Sequence, residues 1–343
     1  MLNKPLVVLV CFFSLVNSFF SQGDPNGLVK WLSLKEAQEK NKTVPKPFLI
    51  DIYTDWCGWC KHMMKTTYSN QGVADYINAN FYPVKFDAET KDTIEYNGKI
   101  YKPTSINPKT PHELAIKFLG SSLSYPSTLF VTNNFEYNLL TQGFLEEKKL
   151  EPILIFMVEN AWRTSIFDEF NKHFSQTFID TNFTKGVVTT CKINDLEKLQ
   201  KKKQKKVLIT IGAGFCNTCR VMNKTTFVDT SIANYINKNF YVVNFDAESN
   251  DTILFKNTKY YKQLVNNYPF HSLVLALTNN KFSLPALCIL DETLNGIDVL
   301  NFYQSPEQLK PIVYFIGSNA YKTKKWPDFI KEYSQQTVNL NKK

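Results

Sequence analysis

"FLIDIYTDWCGWCK", residues 48–61, carries two signals in a short space. Its first half is an apolar run that reads as a buried strand. Its second half is a C-x-x-C pair, Cys57 and Cys60, which opens a helical stretch, "CKHMMKTTY". A cysteine at a helix start faces unpaired N–H groups and the positive end of the helix dipole. Both stabilise a thiolate and lower a pKa that is about 8.5 in a free thiol. The second cysteine lies one turn further on, close enough to attack a mixed disulfide formed by the first. Zinc would need four ligands gathered together, and the four histidines show no ligand spacing around the pair. On the residues alone, a redox pair and a structural disulfide both remain open.

The chain repeats itself. "ADYINANFYPVKFDAETKDTI" (74–94) and "ANYINKNFYVVNFDAESNDTI" (233–253) agree at 15 of 21 positions, at a constant offset of 159. The same offset carries Cys57 onto Cys216, Cys60 onto Cys219, Pro126 onto Pro285 and Pro152 onto Pro311. A long register without gaps marks a duplicated domain. Each copy reads as a helix around Trp31, Leu34 and Ala37, the strand, and the C-x-x-C helix. "GVADYINAN" then predicts a helix, "FYPVKFD" a strand, and "TIEYNGKIYK" a hairpin with an Asn-Gly turn. "HELAIKFLG" predicts a helix, "STLFVT" a strand after Pro126, and "EYNLLTQG" an edge strand. "EPILIFMVENAW" and "SIFDEFNKHF" close the unit as helices. Alternating strands and helices imply an α/β domain with a central sheet. The expected organisation is a signal peptide over 1–21, a first domain over 22–180 and a second over 181–343. The boundary falls near the polar stretch 177–186.

At 343 residues, with 43% hydrophobic and 21% charged residues, the chain is globular in composition and long enough for two full cores. The net charge of +9 is spread out, with one basic run at 198–206, "KLQKKKQKK", that reads as a solvated helix end. No nucleic-acid partner is expected. The N-terminus, "MLNKPLVVLVCFFSLVNSFFSQGDPNG", has the layout of a secretory signal peptide: Lys4, an apolar core from Leu6 to about Val16, then small or polar residues. Cleavage near Ser21 would remove Cys11 and leave six cysteines, and no later segment is apolar enough for stable membrane insertion. A periplasmic or secreted location follows as the expectation.

"FLIDIYTDWCGWCK" resembles the active-site segment of the thioredoxin superfamily. The following "HMMKTTYSNQGVADYINANFYPVKFDAE" is most similar to its secreted branches, those resembling the C-terminal domain of DsbD. The resemblance spans essentially all of each 159-residue unit, twice, and implies two tandem thioredoxin-like domains, each a central mixed sheet flanked by helices. It implies that Cys57 is the exposed nucleophile and Cys60 the buried resolving thiol. Asp51 matches the buried acid that shuttles the proton of Cys60, and Lys85 the lysine beside it. Pro126 matches the cis-proline over the sulfurs, and Tyr125 before it offers its backbone to an extended polypeptide. Trp56, which shields the site, belongs with Trp59 and Gly143 to the same client-binding surface, and Pro285 is the counterpart of Pro126. Trp59 stands where the thioredoxin pair commonly has proline, so the prototype's potential does not transfer.

The second copy departs from the pattern. Asp51 becomes Thr210, Lys85 becomes Asn244, Trp56 becomes Phe215, and Gly143 becomes Phe302, while Cys216, Cys219 and Pro285 remain. A second centre that forms a disulfide but handles protons poorly is expected. Cys191 and Cys288 read as buried small hydrophobes, with an accessory redox role as the alternative. The implied function is an extracytoplasmic thiol–disulfide oxidoreductase, a reductase of protein disulfides working through Cys57 and Cys60. It would need no cofactor beyond its redox-active disulfides and no metal. Its partners would be disulfide or dithiol client proteins and a membrane electron donor. A disulfide isomerase is one alternative, and a non-catalytic binding or chaperone module is the other.

Overall fold

A computed structural model describes residues 27–179, 186–265 and 268–340. The signal-peptide segment, Cys11 and most of the 177–186 boundary stretch lie outside the described residues. The first half runs α1 (Leu34–Thr43), β1 (Phe48–Tyr53), α2 (Gly58–Lys65), α3 (Gln71–Asn80), β2 (Tyr82–Asp87), β3 (Ile94–Tyr96), β4 (Lys99–Tyr101), α4 (Glu113–Leu119), β5 (Ser127–Val131) and β6 (Asn138–Gln142). Two helices follow, α5 (Glu147–Val158) and α6 (Phe167–Phe178). The second half repeats the plan with α7 (Leu196–Lys202), β7 (Lys206–Gly212), α8 (Asn217–Lys224), α9 (Thr230–Asn239) and β8 (Phe240–Asp246). It continues through β9 (Ile253–Phe255), β10 (Thr258–Tyr260), β11 (Lys262–Val265), β12 (Tyr268–His271) and α10 (Ser272–Leu277), and ends with β13 (Ala286–Leu290), β14 (Gly296–Asn301), α11 (Pro306–Gly317) and α12 (Trp326–Leu340).

Both copies build the same mixed four-stranded sheet, β2-β1-β5-β6 in the first and β8-β7-β13-β14 in the second. The inner pair is parallel (β1 with β2, β7 with β8), and the other pairings are antiparallel. This is the thioredoxin-like α/β plan, present twice. Phe48 to Ile52 are all buried, as a central strand covered on both faces requires, and the apolar run at that point has the matching composition. They pack with Leu34, Ala37, Val84, Phe86, Leu114 and others into one core. An equivalent core in the second copy is built on Val207, Ile209, Ile211, Val243 and Cys288.

Local chemistry fixes the element ends. Ser33 caps α1, its hydroxyl accepting from the Glu36 N–H while the Glu36 carboxylate accepts from the Ser33 N–H at 2.8 Å. Trp31, counted with this helix by its spacing, lies ahead of it and packs edge-on against Tyr68 at 4.9 Å. The Asn97-Gly98 turn holds both residues at positive φ, 48° and 72°, as the two-residue hairpin requires. The basic run does not end in solvent throughout. Lys206 opens β7 and is buried, its ammonium 2.8 Å from Glu292 and 2.7 Å from the Asn319 side-chain oxygen.

Contacts divide the chain into two compact units, one ending at Phe144 and the other beginning at Leu145. Helices α5 and α6, which the repeat counts with the first copy, therefore group with the second. No helix among the described residues is long and apolar enough to cross a membrane.

Ile50, fully buried at the centre of β1, sets a test of this core. Ile50→Ala should destabilise the first unit by about 2–5 kcal/mol in denaturant unfolding. Ile106→Ala, at a side chain 98% exposed, should stay within about 0.5 kcal/mol of the parent.

Candidate active site

Cys57 is the N-cap of α2, and its Sγ accepts the Cys60 N–H at 3.0 Å. The end of β1 delivers it there, with the Cys57 N–H turned back onto the Thr54 carbonyl at 3.1 Å. Cys57 and Cys60 are joined as a disulfide with their Cα atoms 5.3 Å apart. An aromatic rim surrounds the pair. Trp56 donates its indole N–H to the Glu89 carboxylate at 3.1 Å and meets the Tyr125 ring edge-on at 5.9 Å. Trp59 packs against His62 at 5.6 Å and Phe144 at 5.7 Å. The two indoles are 58% and 63% exposed, which leaves broad apolar faces at the surface.

The Tyr125–Pro126 peptide is cis, and the Pro126 carbonyl accepts the Gly143 N–H at 2.8 Å. Gly143 sits at φ 91°, a conformation that favours glycine. Trp56, next to Cys57, thus meets Tyr125, and the Pro126 carbonyl ties Gly143 to the same loop. One expectation differs: Cys57 is only 4% exposed and Cys60 5%. In the closed disulfide the two residues are equally buried, and what separates the cysteines is the helix-cap position of Cys57.

Behind Cys60 lies a polar cluster in an apolar core. Asp51 is buried in the middle of β1, with Lys85 of β2 as its register partner on one side and Thr128 of β5 on the other. Burial pushes its carboxyl up to about 7, against the opposing pull of the Lys85 charge and a hydrogen bond from Tyr68. The Tyr68 phenol is itself fully buried, 3.4 Å from the Thr128 hydroxyl, and burial together with the Asp51 charge pushes its pKa well up. The Lys85 ammonium stands 5.0 Å from the centre of the Tyr53 ring. A cavity of about 320 Å³ reaches this cluster, lined by Asp51, Tyr53, Thr54, Cys60, Met64 and Lys85 among others. The buried Thr54 hydroxyl has no hydrogen-bond partner among the described residues. A polar cavity of this size has room for several waters, and Thr54 offers one of them a bond.

The second centre keeps the frame and loses the cluster. Cys216 caps α8, accepts the Cys219 N–H at 3.1 Å, and is joined to Cys219 as a disulfide. The Leu284–Pro285 peptide is cis, and the Pro285 carbonyl accepts from Phe302, which occupies the left-handed region at φ 69° without being glycine. At the Asp51 position Thr210 donates to the Asn244 side-chain oxygen at 2.7 Å. Tyr68 is replaced by Phe227, Thr128 by Leu287 and Thr54 by Ala213. The cavity beside Cys219 is about 20 Å³, room for about one water.

Tyr68, Thr128, Thr54 and Glu89 are site residues that the sequence reading missed. The repeat held the signal for the first three, because each turns apolar in the copy that loses the acid. Cys288 is buried, its thiol pushed up to about 12 by burial, and it donates to the Leu277 carbonyl at 3.4 Å. Cys191 is half-buried with its thiol also pushed up by burial. Neither carries the features of a reactive thiol. Among the described residues no three His, Cys, Asp or Glu side chains gather as metal ligands.

Comparison with known proteins agrees with this architecture. The family model Thioredox_DsbH, described as a protein of unknown function (DUF255), matches residues 16–105 and again 192–282. An uncharacterized protein of Archaeoglobus fulgidus is 31% identical over 88 residues, 26% of this chain and 68% of the relative. One from Caenorhabditis elegans is 31% identical over 61 residues, 18% of this chain but only 8% of the relative's length. Among solved structures, a thioredoxin-fold protein from Helicobacter pylori is 19% identical, over 49% of this chain and 95% of that one, with a TM-score of 0.30. The two family matches take in more than half of the chain, and each contains one C-x-x-C pair: the protein belongs to the Thioredox_DsbH family.

Proposed function

We propose that the protein is an extracytoplasmic thiol–disulfide oxidoreductase that reduces protein disulfides through Cys57 and Cys60. The observation that carries this reading is the buried Asp51 cluster behind Cys60, complete at the first pair and dismantled at the second. A carboxyl raised to about 7 can both take and return a proton near neutral pH. That capacity has a use beside a thiol that must ionise, and none beside an inert staple.

The reduced pair acts in two exchanges. The Cys57 thiolate, stabilised at the start of α2, attacks a client disulfide; one client sulfur leaves as thiolate and the other stays bonded to Cys57. Cys60 then attacks the Cys57 sulfur, its proton passing toward Asp51 through the cavity. The client leaves as a dithiol, and the enzyme keeps the Cys57–Cys60 disulfide. Two electrons have passed to the client. A membrane electron donor would restore the dithiol. The exposed Trp56 and Trp59, with the Tyr125–Pro126 loop, form the surface on which an extended client segment would lie. The N-terminal apolar stretch is the support for an extracytoplasmic location.

Two experiments test this. Turnover of a disulfide substrate should be abolished by Cys57→Ser and largely kept by Cys216→Ser. Cys60→Ser should accumulate client mixed disulfides at Cys57, seen as dithiothreitol-sensitive adducts by mass spectrometry. Loss of turnover with Cys216→Ser alone would reverse the ranking of the centres.

The second experiment concerns Asp51. Its carboxyl titrates at about 7 in the folded chain against 3.8 in an exposed one, so the folded state holds the extra proton between these values. Its favourable contribution is full below the lower value and is lost as pH rises through the upper one, a swing of roughly 4 kcal/mol. Asp51→Asn should remove that slope and be the more stable protein above pH 7. It should also slow the resolving step by about a hundredfold or more and flatten its rise with pH. Resolution that keeps its wild-type pH profile in Asp51→Asn would rule out the proton-transfer role.

A further inference from the structure

The start of α8 is occupied. Glu159, the residue that ends α5, lays its carboxylate across the first two N–H groups of the Cys216 helix. Oε1 accepts from the Asn217 N–H at 3.0 Å and from the Asn217 side-chain amide at 2.9 Å. Oε2 accepts from the Thr218 N–H at 2.7 Å and from the Thr218 hydroxyl at 2.6 Å. The Thr218 hydroxyl in turn lies 3.5 Å from the Cys216 sulfur. At the equivalent turn of α2, Gly58 and Trp59 are exposed, and no carboxylate is bonded to them among the described residues.

The segment that delivers Glu159 is held on both sides of it. Asn160 turns the chain through the left-handed region at φ 57°, and Ala161 is buried. The Thr164 hydroxyl donates to the Tyr303 carbonyl. Further along, His173 of α6 and the Tyr303 hydroxyl are hydrogen-bonded at 2.7 Å, and Phe170 meets the Tyr303 ring edge-on at 5.4 Å. The Arg163 guanidinium lies over the Trp162 ring at 4.4 Å and near Phe302 at 5.4 Å. Two further charged groups at this end of α8 address Gly214: Arg220 donates to its carbonyl at 2.6 Å, and Glu248 accepts its N–H at 3.2 Å.

We propose that Glu159 is a positioning residue that sets the redox poise of the Cys216–Cys219 centre. It places a resident negative charge on the helix end that would otherwise stabilise the Cys216 thiolate, and so holds the pair in its disulfide form. Reduction of the pair by glutathione breaks the Cys216–Cys219 bond and forms one molecule of oxidised glutathione from two reduced ones, with two electrons transferred. Above the thiol pKa the product carries Cys216 as thiolate. A carboxylate in the first turn repels that charge and has already engaged the Asn217 and Thr218 N–H groups, leaving the Cys219 N–H for the Cys216 sulfur. Removing the carboxylate therefore favours the reduced form and makes the pair more oxidising, the direction in which a stabilised thiolate always acts. This inference does not depend on Cys57 activity.

The test uses the full chain carrying Cys57→Ser and Cys60→Ser, so that the second pair alone responds to glutathione buffers. The reduced fraction is read by alkylation and mass shift, and the Cys216 thiolate is titrated by its ultraviolet absorbance. Glu159→Gln keeps the side chain's shape and an acceptor oxygen but not the charge. It should shift the equilibrium toward the dithiol on the order of tenfold, about 30 mV for a two-electron couple, and lower the Cys216 pKa. Glu159→Asp, which keeps a carboxylate, should stay near the parent, and Glu159→Ala should move with Glu159→Gln. An unchanged equilibrium in Glu159→Gln would overturn the proposal, as would Glu159→Asp moving as far as Glu159→Gln. Should the Gln variant fail to fold, the same comparison between Asp and Ala decides the matter.

Discussion

A carboxyl group in the middle of a central strand is costly to bury, and the first site is arranged around that cost. Asp51 cannot shed its ionised form's need for partners into a core of Ile50, Ile52 and Leu129. The neighbours on its two register positions are therefore a lysine and a threonine, and a tyrosine closes over it. The opposing influences of burial and of Lys85 leave the carboxyl poised near neutrality. Without the lysine its carboxyl would lie higher still, and without the burial it would be an ordinary carboxylate. Either would be a poor proton relay.

The duplication separates chemistry from scaffolding. Strand order, register, the cysteine cap, the cis peptide and the bond from residue 143 or 302 to the proline carbonyl recur in both copies. They are therefore compatible with either interior. The polar cluster does not recur, and its members leave together. Tyr68 without Asp51 would keep a buried phenol with one partner fewer, and Lys85 without Asp51 would lose the charge its register position faces. Once the acid is threonine, phenylalanine at 227 and leucine at 287 are the cheaper occupants, and the Thr210–Asn244 bond satisfies what remains.

Much of this was readable in the sequence because the relevant signals are local or periodic. The Asn97-Gly98 turn, the buried run before Cys57 and the constant 159-residue offset each announce their structure. So do Asp51 and Lys85, through the matched losses at Thr210 and Asn244. Tyr68 and Thr128 were equally accessible by that route, but a tyrosine at the end of a C-x-x-C helix looks like ordinary core, and only the register of β1 against β5 puts Thr128 beside the acid. Lys206 shows the opposite failure. A lysine in a run of lysines looks solvated, and its burial depends on Glu292 and Asn319, which lie far along the chain. Glu159 had no sequence signal at all, since nothing in a helix-ending glutamate points to a helix start 58 residues away.

That last pairing bears on how two copies of one fold come to differ. A helix N-terminus offers a fixed set of unpaired donors, and whichever anion reaches it takes them. At α2 the donors are left for the cysteine, because glycine and an outward tryptophan follow it. At α8 the first two are already engaged by a carboxylate that the chain carries in from the close of its first repeat, and the Cys219 N–H alone of these three meets the Cys216 sulfur. The backbone at the two sites is nearly the same, so the difference in thiolate stabilisation has to come from side chains around it. In the proposed mechanism Asp51 acts from behind the second sulfur, on the proton that must move. Glu159 acts from in front of the first, on the charge that must form. Acquiring one and losing the other are independent changes, and under the two proposals together they would push the two centres toward opposite ends of thiol reactivity without altering either C-x-x-C pair.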